Sequence, residues 1–106
     1  ATALCFNISS KEAAKEIAAS LTGHYVALNA LVNNAVVAEF DTIENCSAES
    51  WRRVMETNLD GMFYLSQALL SNLKTSKGSI VNIASISGLR GSTLRVAYGT
   101  SKAAVM

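Results

Sequence analysis

The 106-residue sequence predicts an α/β fold: a parallel sheet covered by helices. Three observations carry that expectation. Short apolar runs alternate with amphipathic segments in the order strand, helix, strand, helix, strand, helix. Hydrophobic residues make up 50% of the chain and charged residues 16%, which is the composition of core material for one small domain at most. Polar residues also gather at the carboxyl ends of the apolar runs, where sheets of this kind place their ligands.

The elements follow in order. Ala1–Phe6 (ATALCF) is an apolar run suited to a buried strand. Ser9 and Glu12 have capping-box spacing, KEAAKEIAASLT then reads as a helix, and Gly23 closes it. Leu28–Asn34 (LNALVNN) is the second strand and Val36–Cys46 a loop. Ser47 is an N-cap, and the segment from it is helical as far as Gly78, about 40 Å if continuous. Ser79–Ala84 (SIVNIA) is the third strand, Ile86–Arg95 a Gly/Ser-containing loop, and a last helix begins near Tyr98. There are no internal repeats or low-complexity tracts. The chain opens on Ala1 and stops in mid-helix at Met106, so both ends are expected to be cut.

Composition also narrows the function. A net charge of +1 and a pI of about 8.0, without a Lys/Arg cluster, argue against nucleic acid or a membrane surface as partner. No apolar run approaches the roughly 20 residues of a membrane span. One histidine, His24, and two distant cysteines, Cys5 and Cys46, offer no metal-ligand set. Thiols so placed suit a reducing compartment, and a cytoplasmic location is expected.

Candidate chemistry lies at the strand ends and on two helices. Asn7, Asn33, Asn34 and Ser85 each follow an apolar run and are expected to face one crevice. In the long helix, Trp51, Met55, Met62, Leu65, Leu69 and Leu73 mark a buried stripe, and Asn58 falls within it. A buried amide there must find partners. It is either a satisfied core asparagine that bends the helix, or a group whose amide or loosened backbone holds a water or a catalytic residue. Tyr98 and Lys102 are four residues apart and so share a helix face. A free phenol is a poor base at neutral pH, but a neighbouring ammonium favours phenolate, and the same phenol can protonate a carbonyl oxygen in reverse. Ser85 by itself is most simply a strand-end serine bonded to backbone. Ser-His-Asp chemistry is disfavoured, because the one histidine precedes the second strand and no nucleophile elbow surrounds Ser85.

Taken together, Asn58, Ser85, Tyr98 and Lys102 match in order and spacing the tetrad of the short-chain dehydrogenase/reductase family, which the sequence resembles. Leu31–Ala35 (LVNNA), ESWRRVMETNLDGMF and GSIVNIASISG are close to that family's phrasing as well, so the likeness spans essentially the whole chain. It implies a Rossmann-like doubly wound parallel sheet, with residues 1–106 the central segment of a single NAD(P)-binding domain. In the strand order 3-2-1-4-5-6 the three runs correspond to strands 3, 4 and 5. The first two strands and the C-terminal part are then missing, and Ala1–Phe6 is left without a neighbour.

The resemblance also implies roles. Tyr98 is expected to be the general acid or base, with Lys102 favouring its phenolate and holding the nicotinamide ribose. Ser85 is expected to polarise the substrate oxygen, and Asn58 to anchor a water of a proton relay. Asn7 and Ile8 take the place of a pair near adenine; Asn34, Ala35 and Val36 lie by the adenosine half of NAD or NADP. Val36 stands where the family has glycine, so its β-branched side chain is expected to obstruct close approach or to resist a glycine-like backbone. No G-x-x-x-G-x-G turn occurs in the chain. The expected activity is NAD(P)-dependent interconversion of a small-molecule alcohol and ketone, in a protein that is a homodimer or homotetramer at full length. The rivals are a non-catalytic module with impaired nucleotide binding, a dehalogenase-like lyase, which Lys102 argues against, and an assembly protein using the long helix.

Overall fold

A computed structural model describes residues 1–106. Its elements are α1 (Lys11–Thr22), β1 (Ala30–Asn33), α2 (Ala48–Met55), a π-helical segment (Glu56–Asp60), α3 (Gly61–Ala68), α4 (Leu70–Ser76), β2 (Ser79–Asn82), a 3-10 turn (Ile86–Gly88) and α5 (Val96–Val105). β1 and β2 pair in parallel, with Ala30 opposite Ser79 and Asn33 opposite Asn82. Parallel neighbours cannot be joined by a hairpin, and α2 to α4 form the crossover between them. The architecture is thus the predicted α/β class, with a sheet of two strands.

The core sits between β1 and its helices. Leu31, Leu69 and Leu73 are buried together, with Ala18, Leu21, Leu28 and Leu65 packed around them. Each fully buried leucine contributes about 1.5–3 kcal/mol. Buried Ala13 and Ala14 keep α1 close to α3. The start of β1 is tied to the end of the crossover: the Asn72 amide donates to the carbonyls of Tyr25 and Val26, at 3.3 and 3.0 Å, and the Ser76 hydroxyl donates to that of Leu28.

Four expectations need correction. Ala1–Phe6 forms no strand, since β1 and β2 pair with each other and nothing lies alongside it to complete a ladder. The cap of α1 is Ser10, whose hydroxyl accepts from the Ala13 N–H; Ser9 is diverted, its N–H and hydroxyl both donating to Asn7 Oδ1. The long helix is also discontinuous. It widens to i→i−5 bonding at 56–60, with the Gly61 N–H donating to the Glu56 carbonyl, and breaks again at Leu69, where φ is −98° and ψ 4°. Its stripe therefore does not run straight, and Trp51 is 39% exposed. The strands are also shorter than read, because pairing stops where β1 and β2 cease to overlap. Ser47 caps α2 as expected, accepting from the Ser50 N–H at 3.0 Å.

Candidate active site

The site grows from the carboxyl ends of β1 and β2. Asn33 and Asn82 close the ladder side by side: Asn33 Nδ2 donates to Asn82 Oδ1 at 2.8 Å and to the Ser66 hydroxyl at 3.1 Å. Beyond that clamp the two chains diverge, one into Asn34–Ala35 and the other into Ile83–Ser85. The crevice between them is lined by Ile8, Asn33, Asn34, Ala35, Asn58, Ile83 and Lys102, among others.

Two glycines let neighbouring backbone close on this crevice. A Cβ at Gly61 would stand 2.6 Å from the Ile8 carbonyl oxygen, so the bare helix face is what admits Ile8. A Cβ at Gly88 would stand 2.7 Å from Ala103 N and from the Lys102 carbonyl carbon. The turn after Ser85 therefore rests directly on α5.

Asn58 is 3% exposed and lies in the π segment. Its Oδ1 accepts from the Val37 N–H at 2.8 Å; its Nδ2 donates to the Val37 carbonyl and to the Ser101 hydroxyl, both at 2.9 Å. Ser101 in turn donates to the Tyr98 carbonyl at 2.8 Å. One amide thus ties the helix interior, the loop after β1 and α5 together. Of the two readings left open by the sequence, a satisfied asparagine at a helix distortion is the one that fits the amide itself.

Lys102 is 4% exposed, yet no carboxylate pairs with it. Its Nζ donates to the Ile83 carbonyl at 2.6 Å and lies 6.0 Å from the centre of the Tyr98 ring. An ammonium carries three donors, so two remain for a ligand in the crevice that Lys102 lines. That donor set fits the hydroxyls of a nucleotide ribose. Tyr98 is half-buried, and no hydrogen bond joins its hydroxyl to Lys102 or to Ser85. Ser85 Oγ accepts from the Ser87 N–H at 3.2 Å, capping its own turn.

The structure thus gathers Ile8, Asn34, Ala35, Asn58 and Lys102 at one crevice and leaves others outside it. Asn7 lines a separate surface depression with Ser9, Val37, Glu39 and Arg53. Val36 is exposed and takes no left-handed backbone, so the conformational objection to a β-branched residue there falls away. In the adjoining loop Glu39 accepts two bonds from Arg53, at 2.6 and 3.0 Å. Those bonds hold the Glu39 carboxyl below its usual value and raise the Arg53 guanidinium. Sequence reading missed Ser101 and the backbone of Val37 and Ile83. Ser101, three residues after Tyr98 and next to Lys102, had a usable signal in its helical phase. No three His, Cys, Asp or Glu side chains gather as a metal site, and no helix is long and apolar enough to cross a membrane.

Comparison with known proteins completes the description. A family model described as short chain dehydrogenase matches residues 1–106. A 3beta-hydroxysteroid dehydrogenase of Mediterraneibacter gnavus is 34% identical over 100 residues, covering 93% of this chain and 36% of the relative. A Xanthobacter autotrophicus protein named inactive 2-(S)-hydroxypropyl-CoM dehydrogenase 2 is 40% identical over 94 residues, covering 85% of this chain and 41% of the relative. Among solved structures, a short-chain dehydrogenase from Streptomyces avermitilis superposes with a TM-score of 0.89 at 28% identity, over 96% of this chain and 39% of that one. The chain therefore spans about two fifths of the length of the proteins it matches.

Proposed function

The chain belongs to the short chain dehydrogenase family, and from that premise we propose that the complete protein is an NAD- or NADP-dependent oxidoreductase interconverting a secondary alcohol and a ketone. The observation that carries the reading is Lys102, a buried ammonium without a carboxylate, one helical turn from Tyr98 and opening onto the crevice at the strand ends.

In this reading NAD or NADP, when bound, would supply the two-electron hydride chemistry. Lys102 would hold the ribose with the two donors not given to the Ile83 carbonyl. Tyr98 Oη gives its proton to the carbonyl oxygen during reduction and takes it back from the hydroxyl during oxidation. Ser85, whose Oγ accepts from the Ser87 N–H and so keeps its own proton unspent, donates to the substrate oxygen as charge develops there. Asn58 keeps α5 in register through Ser101, and Ile8, Asn34 and Ala35, which line the crevice, would border the adenosine half of the cofactor. Exposed Trp51, Phe63 and Leu70 along the crossover helices favour a homodimer or homotetramer, and the unpaired thiols Cys5 and Cys46 favour the cytoplasm.

The deciding experiment uses the complete protein with Tyr98→Phe. Turnover of a responsive alcohol or ketone should fall roughly 10²- to 10⁴-fold, the usual worth of a positioned acid–base group. A variant within tenfold of the wild type would remove Tyr98 from the chemistry. A second reading, nucleotide binding without turnover, draws on the relative named inactive at 40% identity. Cofactor fluorescence titration without detectable turnover would select it.

A further inference from the structure

Arg95, three residues before Tyr98, takes no part in the chemistry above. Its guanidinium carbon sits over the Tyr98 ring at 5.2 Å and over the Phe40 ring at 5.0 Å. Its backbone is fixed as well. Asp41 and Arg95 form a parallel bridge, and the Asp41 N–H donates to the Leu94 carbonyl at 3.1 Å. Leu94 itself is held at φ 61°, a left-handed conformation that a leucine adopts only when its surroundings dictate it. The aromatic contacts, the backbone bridge and the left-handed Leu94 thus set one cation beside the phenol.

That cation has no partner. The protein has a single ion pair, Arg53 with Glu39, and no side-chain hydrogen bond leaves Arg95. The adjacent acid, Asp41, is engaged by the Ser50 hydroxyl at 2.7 Å. Arg95 is half-buried, and the other charged group against the Tyr98 ring is Lys102, also cationic. Five N–H donors in a planar fork, stacked on aromatic rings and unspent, are the usual means of recognising an oxyanion.

We propose that Arg95 reads an anionic group on the substrate, so that the reacting alcohol or ketone carries a carboxylate, sulfonate or phosphate a short chain away from the carbon oxidised or reduced at Tyr98. The proposal rests on Tyr98 marking the reacting centre, and it deepens that reading by naming the substrate class. Arg95 acts on selection, not on proton transfer.

The test is a calorimetric titration of the complete protein saturated with NAD⁺ or NADP⁺, whichever it binds in a prior fluorescence titration, a pairing with ketones that cannot turn over. Acetoacetate, 4-oxopentanoate and 5-oxohexanoate are each compared with their methyl esters. At least one acid should bind tenfold or more tightly than its ester. Arg95→Gln should cut that preference below threefold, and Arg95→Lys, which keeps the charge but loses the fork, should fall between. A residue that only clamped the loop to α5 would leave the acid-to-ester ratio alone. Equal affinity of acid and ester at every chain length, undetectable binding of all acids, or a preference that survives Arg95→Gln overturns the proposal. If Arg95→Gln does not fold, the wild-type ratio and Arg95→Lys decide. Tyr98→Phe turnover is read separately, so failure of the acid–base assignment leaves the titration's answer on the anion site intact.

Discussion

Replacing Asn58 by alanine removes the amide that joins the π segment, Val37 and Ser101, and its cost can be worked from the geometry. Three hydrogen bonds of 2.8 to 2.9 Å are lost. Each is worth about 0.5–1.5 kcal/mol net, and a buried group left unpaired costs about 1–3 kcal/mol. The Val37 bonds are only part-buried, which offsets some of that penalty. Ser101 is 0% exposed but keeps its bond to the Tyr98 carbonyl. The sum is a loss of about 2–4 kcal/mol for Asn58→Ala, a large share of a typical stability of about 5–15 kcal/mol. Ser101→Ala should cost about 1 kcal/mol, since Asn58 Nδ2 retains the Val37 carbonyl. Because the two side chains touch, the double variant should show a coupling of about 1 kcal/mol. Urea denaturation of the complete protein and its three variants provides all four corners. Strict additivity, within about 0.3 kcal/mol, would refute the amide bridge. Turnover should fall as well, on the order of tenfold to a hundredfold, because α5 loses one of the anchors that sets Tyr98 and Lys102.

Three further outcomes follow. Gly88→Ala places a methyl 2.7 Å from rigid backbone of Lys102 and Ala103, so it should destabilise the complete protein by about 1–3 kcal/mol, read from its denaturation midpoint. The Glu39 carboxyl is depressed by Arg53, so its contribution is present above the ordinary carboxylate value and disappears as pH falls through its lowered one. Thermal melts of the complete protein and its Glu39→Gln variant should therefore differ near neutrality and converge once pH falls below the carboxyl's lowered value, with high salt shrinking the difference. A gap that persists in acid would sink that assignment. The 106-residue chain by itself buries 13 residues and exposes 18 large hydrophobic ones, so it should bind a hydrophobic dye and melt without a cooperative transition in calorimetry; a sharp two-state peak contradicts this.

The alternation of runs was legible because period and capping are local. Ser47 before an amphipathic stretch, and LVN and SIVN as apolar strands, needed no tertiary knowledge. What depended on neighbours was not. Ala1–Phe6 has the composition of a strand, but a strand is a relation to a partner, and this chain supplies none. Ser9 lost the cap to Ser10 because Asn7 captured it, a competition invisible in the S-x-x-E spacing. For the site, the helix phase of Tyr98 and Lys102 was readable from their numbers. The backbone acceptors were not, because the Ile83 carbonyl that receives Lys102 carries no signature in residue type.

The widened turn at 56–60 also sets a rule for the chain's length. Wide turns hold one residue more than an α-helix would, and each residue represents about 100° of rotation. Val54 lies buried before it and Leu69 buried after it. Deleting one of the five would turn everything downstream by about 100° relative to α2. The stretch acts as a phase adjuster between α2 and α3.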